Sequence, residues 1–248
     1  MRYLPHTEKD IDQMLQVVGA RDLDALFDSI PDDCRRKQAM SLPEPLTEWE
    51  LNGHMEKLAA GIGAAHTHHV FMGAGSYNHF IPEITRQLLL RGELFTAYTP
   101  YQPEISQGTL QTIYEYQTLV CRLLGMDVAN ASMYDGASGL AEAMLMTIRV
   151  SRRKKVAVSR AVHPLYRQVV ETYFAPTEFE VVELPVGSDG RTDLSGLNDL
   201  GELAGVALQS PNFFGCIEDL DAAGKAIHAD PKTLFVVAFS EPLAYGML

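Results

Sequence analysis

Three cysteines are all the chain has, Cys34, Cys121 and Cys216, odd in number and far apart. That spacing argues against a disulfide framework and predicts reduced thiols in a cytoplasmic protein. Basic residues are also scarce: 20 Lys and Arg stand against 32 Asp and Glu, for a formal charge of -12. A broad nucleic-acid footprint and attraction to an anionic membrane surface are both disfavoured by that balance. No apolar run approaches the roughly 18 residues a membrane span requires, and the opening MRYLPHTEKD lacks the apolar region of a signal peptide. Walker and dinucleotide-binding spacings are missing, as are CxxC and HExxH. What remains is 248 residues with 46% hydrophobic content, enough for one large domain or one domain with an appendage.

The first sixty residues carry only helical signals. Thr7 with Asp10 three residues on marks a helix start, and Ile11, Met14, Leu15 and Val18 then recur at one-face spacing before Gly19. Asp22 opens a second short pattern through Leu23, Leu26, Phe27 and Ile30. Pro31, Pro43 and Pro45 make residues 31–46 an extended connector. Thr47 and Glu50 form a capping box ahead of a third helix through Leu51, Met55 and Leu58. Residues 1–62 are therefore expected to be a helical arm, and 63–248 a larger domain.

Helical and β-rich runs alternate from residue 105 onward. The pattern predicts helices over 108–124, 137–150, 164–174, 194–203 and 219–229, and strands over 127–133, 155–159, 179–184, 205–209 and 233–239. Strands separated by helices of this length predict βαβ units, hence an α/β fold with a mainly parallel sheet and helices on both faces. Such sheets bind ligands beyond the carboxyl ends of their strands. The first candidate end is 130–139, where Gly136, Ala137 and Ser138 pass into a helix start whose backbone N–H groups suit a phosphate. A simply capped turn is the alternative at this point.

Residues 95–108, FTAYTPYQPEISQG, concentrate side chains suited to a cleft or an interface. Pro100 and Pro103 bias their neighbours toward extended backbone. Tyr98, Thr99, Tyr101, Gln102 and Glu104 offer hydroxyl, amide and carboxylate groups, either to a partner surface or substrate passage or to their own turn. Ser76, Tyr77 and Asn78, beside Gly73, Ala74 and Gly75 and before Pro82, form a second set of the same kind. His66, His68 and His69, with His54 or His79, allow a metal site in geometry, but no acidic ligands accompany them, so no metal is expected.

FMGAGSYNHFIPEI at 71–84, FTAYTPYQPEISQGTLQTIYEYQTLV at 95–120 and VANASMYDGASGLAEAM at 128–144 together resemble the glycine cleavage system P-protein, in its alpha-type first half. The likeness spans essentially the whole chain. It implies a fold-type I pyridoxal-phosphate (PLP) transferase fold, and an assembled glycine dehydrogenase that decarboxylates glycine through PLP and passes the aminomethyl group to the lipoyl group of H-protein. It also implies a beta-type partner subunit, in a heterotetramer or a homo-oligomer.

PLP chemistry needs a Schiff-base amine, an acid for the pyridine nitrogen and a phosphate cradle. Gly136, Ala137 and Ser138 are the candidate cradle, and His163, just before Pro164, is either a ring stacked on the cofactor near a strand end, as the resemblance implies, or a helix cap or hydrogen-bonded structural residue. None of the lysines at 9, 37, 57, 154, 155, 225 and 232 follows a strand as that fold requires, and Ser240, with Glu241 beside it, stands at the acid position. The resemblance thus implies an accessory alpha-type subunit with no catalytic residue of its own and the cofactor on the partner. The chain also reads as the N-terminal portion of a longer subunit. Another fold-type I decarboxylase or lyase, and a non-catalytic scaffold, are the alternatives.

Overall fold

The computed structural model describes residues 5–36, 38, 40–63, 68–71, 75–95 and 99–247. Two compact units divide the chain, 1–63 and 64–248.

In the first unit, α1 (Glu8–Val18) and α2 (Glu48–Ala60) flank one 3-10 turn, Asp24–Phe27. Both helices begin on reciprocal capping boxes. The Thr7 and Thr47 hydroxyls accept from the backbone N–H groups of Asp10 and Glu50, each at 3.3 Å, while those carboxylates accept back from the threonine N–H groups. No residue of either helix is buried, so local caps rather than packing define them.

The second unit starts with α3 (Glu83–Leu89), α4 (Gly92–Phe95) and α5 (Gln107–Leu124), the last ending on Gly125 in the left-handed conformation. The core follows: α6 (Gly136–Ser151), β1 (Lys155–Ser159), α7 (Pro164–Phe174), β2 (Glu180–Leu184), β3 (Gly205–Gln209), α8 (Leu220–Ile227) and β4 (Leu234–Ala238). All strand pairs are parallel, in the order β2-β1-β3-β4. Alternate residues serve opposite layers. Val156, Val158 and Ala207 pack with Leu140, Met144 and Ile148 of α6 and Val170 and Phe174 of α7. Ala157, Val206 and Leu208 pack with Ala223 and Ile227 of α8 and with Leu197. Burial of each larger aliphatic contributes about 1.5–3 kcal/mol.

Three expectations need correction. Residues 127–133 form no strand: Gln117 Nε2 donates to the Ala129 carbonyl at 2.6 Å, and Ser132 N–H turns onto Asn130 Oδ1 at 3.1 Å. Side chains there satisfy backbone groups that a ladder would use. The helix expected over 194–203 contracts to a single 3-10 turn, Leu197–Leu200, bounded by Gly196 and Gly201. The last helix stops at Ile227, two residues short of its expected end.

Arg153 locks the amino ends of the strands. Its guanidinium donates to Leu203 O at 2.7 Å, Asp230 Oδ2 at 2.5 Å and Thr233 Oγ1 at 3.1 Å. The Arg153 hydrogen bond, then the Lys232 backbone N–H, hold the Asp230 carboxyl below its ordinary value. A depressed folded-state value means stability that is present at neutral pH and lost as the pH falls through that value. In acid titrations of thermal unfolding, Asp230→Asn is therefore expected to flatten the acid limb and to lower the neutral midpoint. An unchanged acid limb would show that the pair contributes nothing. A Cβ at Gly205 would stand 2.7 Å from Thr147 Cβ on α6. Gly205→Ala should therefore cost about 1–3 kcal/mol in urea unfolding.

Candidate functional site

With strand order β2-β1-β3-β4, the chain leaves β1 toward β2 on one side and returns to β3 on the other. The crevice outside the carboxyl ends of β1 and β3 is thus the topological switch point, where open α/β sheets place ligands. Four segments reach it or its rim: the turn after β1 through His163, the loop 209–218 after β3, residues 239–241 after β4, and the start of α6. Gly75, at φ +82°, is the fifth contributor. A Cβ there would lie 3.4 Å from Ser240 Oγ and 3.8 Å from His163 Cδ2.

His163 is held on several sides. Its backbone N–H donates to Gln209 Oε1 at 2.9 Å, and its Nδ1 accepts from Leu165 N–H at 3.2 Å, which makes it the N-cap of α7. An Nδ1 acceptor places the proton of the neutral ring on Nε2. Phe213 meets the ring edge-on at 5.1 Å and Tyr166 packs at 5.3 Å.

At the start of α6, Asp135 is the N-cap and its Oδ1 accepts from Ser138 N–H at 2.7 Å. The Ser138 backbone N–H, then its side chain, hold the Asp135 carboxyl below its ordinary value, so it is anionic at neutral pH. The backbone groups expected to be open to a phosphate are thus partly taken, since Ser138 N–H is engaged. Tyr166 Oη lies against Gly136, where an added Cβ would stand 3.0 Å from Tyr166 Cζ. A cleft of about 210 Å³ runs from Gly136, Gly139 and Tyr166 to Val236 and Phe239.

A buried polar network that sequence reading missed supports the floor. Glu218 is 6% exposed. Its carboxylate accepts from Thr192 N–H at 3.1 Å, Thr192 Oγ1 at 3.0 Å and Asn212 Nδ2 at 2.9 Å. Asn212 Nδ2 also donates to Gly190 O at 2.8 Å, and Ser159 Oγ lies 2.7 Å from Thr192 Oγ1. The network ties together the loops that follow β1, β2 and β3. Polar residues clustered after predicted strands are its only trace in the sequence.

The remaining expected residues lie at the surface. Ser76, Tyr77 and Asn78 are exposed, while His79 Nε2 reaches Glu241 Oε2 at 3.3 Å. Thr99, Tyr101, Gln102 and Glu104 are exposed too, on a turn in which Ile105 and Ser106 N–H donate to the Gln102 carbonyl at 3.1 and 3.0 Å. Among the described residues, none meets the Tyr101, Gln102 or Glu104 side chain with a hydrogen bond or ion pair. Tyr98, His66, Gly73, Ala74 and Lys37 lie outside the described residues. Within those residues no three His, Cys, Asp or Glu groups converge on a metal position. Lys154 and Lys155 sit at the amino end of β1, bound to Glu178 at 2.5 Å and Glu180 at 3.4 Å, away from the crevice. No described helix is long and apolar enough to cross a membrane.

Removing the Glu218 carboxylate leaves buried donors unpaired. Glu218→Ala should lower the unfolding free energy by about 2–4 kcal/mol, measured by denaturant titration. A loss within about 0.5 kcal/mol would mean that water replaces the carboxylate without cost.

The glycine cleavage system P-protein family matches residues 1–248. A probable glycine dehydrogenase (decarboxylating) subunit 1 from Desulfotalea psychrophila is 56% identical across 100% of this chain and 55% of its own length. One from Carboxydothermus hydrogenoformans is 47% identical, across 100% of this chain and 56% of its own. A crystal structure of glycine decarboxylase (P-protein) of the glycine cleavage system, in inhibitor-bound form, superposes with a TM-score of 0.83 at 43% identity, covering 100% of this chain and 55% of that one. The chain spans about half the length of the curated relatives it matches. Its fold is that of the fold-type I, PLP-dependent transferase class, and the chain belongs to the glycine cleavage system P-protein family.

Proposed function

We propose that this chain is the accessory, alpha-type part of a two-chain glycine decarboxylase, and that a beta-type partner holds the pyridoxal phosphate. In the assembled enzyme that cofactor would supply the electron sink for decarboxylation of glycine, and the aminomethyl group would go to lipoylated H-protein. The observation that carries this reading is the donor set of the crevice. Ser240 is a neutral hydroxyl where the fold needs an acid to keep a pyridine nitrogen protonated. Asp135 caps the start of α6 with its Oδ1 on the Ser138 N–H, one of the donors a phosphate there would need, and no described lysine stands at the carboxyl end of a strand. The residues present do not fit the cofactor, so no chemical step is assigned to them.

Their task is then structural, in a cytoplasmic assembly. Tyr101, Gln102 and Glu104, exposed and without partners among the described residues, suit an interface or substrate passage shared with the beta-type chain. Ser76, Tyr77 and Asn78 offer a second contact of the same kind, and Thr99 extends the first.

Reconstitution tests the reading. Glycine-dependent carbon dioxide exchange should require this chain, the beta-type subunit and H-protein together. Exchange by this chain alone, or none in the complete mixture, would overturn it. Tyr101→Ala should lower exchange by the mixture by about tenfold, as expected of a buried interface aromatic, while leaving the unfolding midpoint of the isolated chain unchanged.

A further inference from the structure

The fold reserves three positions for its cofactor: the start of α6 for the phosphate, the side chain after β1 for stacking, and the second residue after β4 for the pyridine nitrogen. In this chain each meets a group of the protein itself. At the first, Asp135 Oδ1 takes Ser138 N–H at 2.7 Å, and Tyr166 Oη covers Gly136. A carboxylate there answers the same backbone donors and the same helix dipole that a phosphate would, and it repels a second anion.

The second and third positions are filled by main chain. A Cβ on Gly75 would already be in van der Waals contact with both His163 Cδ2, at 3.8 Å, and Ser240 Oγ, at 3.4 Å. Room is left for about a methyl group, and an aromatic ring does not fit between them. Four residues on, His79 Nε2 comes within 3.3 Å of Glu241 Oε2. Glu241 is itself anchored, because its Oε1 accepts from Leu243 N–H at 3.1 Å.

We infer that this chain fills its own cofactor crevice: the Asp135 carboxylate holds the phosphate position, the Gly75 main chain holds the ring position, and the His79–Glu241 pair fastens that segment in place. The inference deepens the accessory reading by naming what keeps the cofactor out. It rests on that reading only for the identity of the group excluded.

Pyridoxamine 5′-phosphate is the probe of choice, because it carries the ring and phosphate but no aldehyde to react with surface lysines. Inorganic phosphate probes the start of α6 alone. Calorimetric titration of the folded wild-type chain should show no saturable binding of either below about 10 mM. Asp135→Ser keeps an N-capping hydroxyl and removes the charge, so it should bind inorganic phosphate at least about tenfold more tightly than wild type. Adding His79→Gln to that variant should admit pyridoxamine phosphate in competition with inorganic phosphate.

Micromolar binding of pyridoxamine phosphate by the wild type overturns the inference, as does a folded Asp135→Ser with no gain in phosphate binding. Should Asp135→Ser fail to fold, the wild-type titration decides alone. Failed reconstitution with a beta-type subunit would sink the proposed role while leaving these titrations intact. Cofactor binding by the wild type would sink the filled crevice while leaving family membership in place.

Discussion

A strand covered on both faces must let two layers of helices approach within side-chain length, and everything in the larger unit follows from how β1 and β3 meet that demand. Ala157 and Ala207 are small and point to opposite sides, while Val156, Val158, Val206 and Leu208 fill the spaces around them. The approach is tightest at Gly205, against which Thr147 of α6 packs with no space for one more carbon. The position of α6 therefore depends on a residue with no side chain. Its first turn stands beside the crevice because its fourth turn can press onto β3.

A second requirement comes from the ends of the sheet. Parallel strands return through loops, and three such loops have to be held above the switch point without a ladder to order them. The Glu218 carboxylate does this by accepting hydrogen bonds from Thr192 and Asn212, and Arg153 performs the complementary task at the amino ends. Both side chains are withdrawn from solvent and hydrogen-bonded to several partners, the arrangement in which such groups are tolerated inside a fold. One sets the height of the crevice floor, and the other keeps the strands from sliding along one another.

Much of the fold was legible because its signals are local. Thr7 with Asp10 and Thr47 with Glu50 are caps readable at a spacing of three, and 155–159 and 205–209 coincide with the observed strands. The reading failed at 127–133, where Val128 and Ala129 suggest a strand but Asn130, Ser132 and Gln117 satisfy the backbone instead. At the candidate site, the start of α6 was located while the role of Asp135 was missed. The spacing from Asp135 to Ser138 signals a cap, and the small residues after it drew attention to the N–H groups rather than to the carboxylate already on one of them. The Glu218 network was illegible for a different reason. Thr192 and Glu218 lie 26 positions apart and meet only once the sheet has formed, so no local period announces them.

Gly75 has a consequence for heredity. An obstruction made of side chain disappears with one codon, but an obstruction made of main chain persists through every substitution that leaves the segment where it is. If the Gly75 main chain holds the ring position as inferred, an acid placed at Ser240 would still find that position taken. On the inference of a filled crevice, admitting a ring there would require the segment itself to move, which no exchange of one side chain achieves directly.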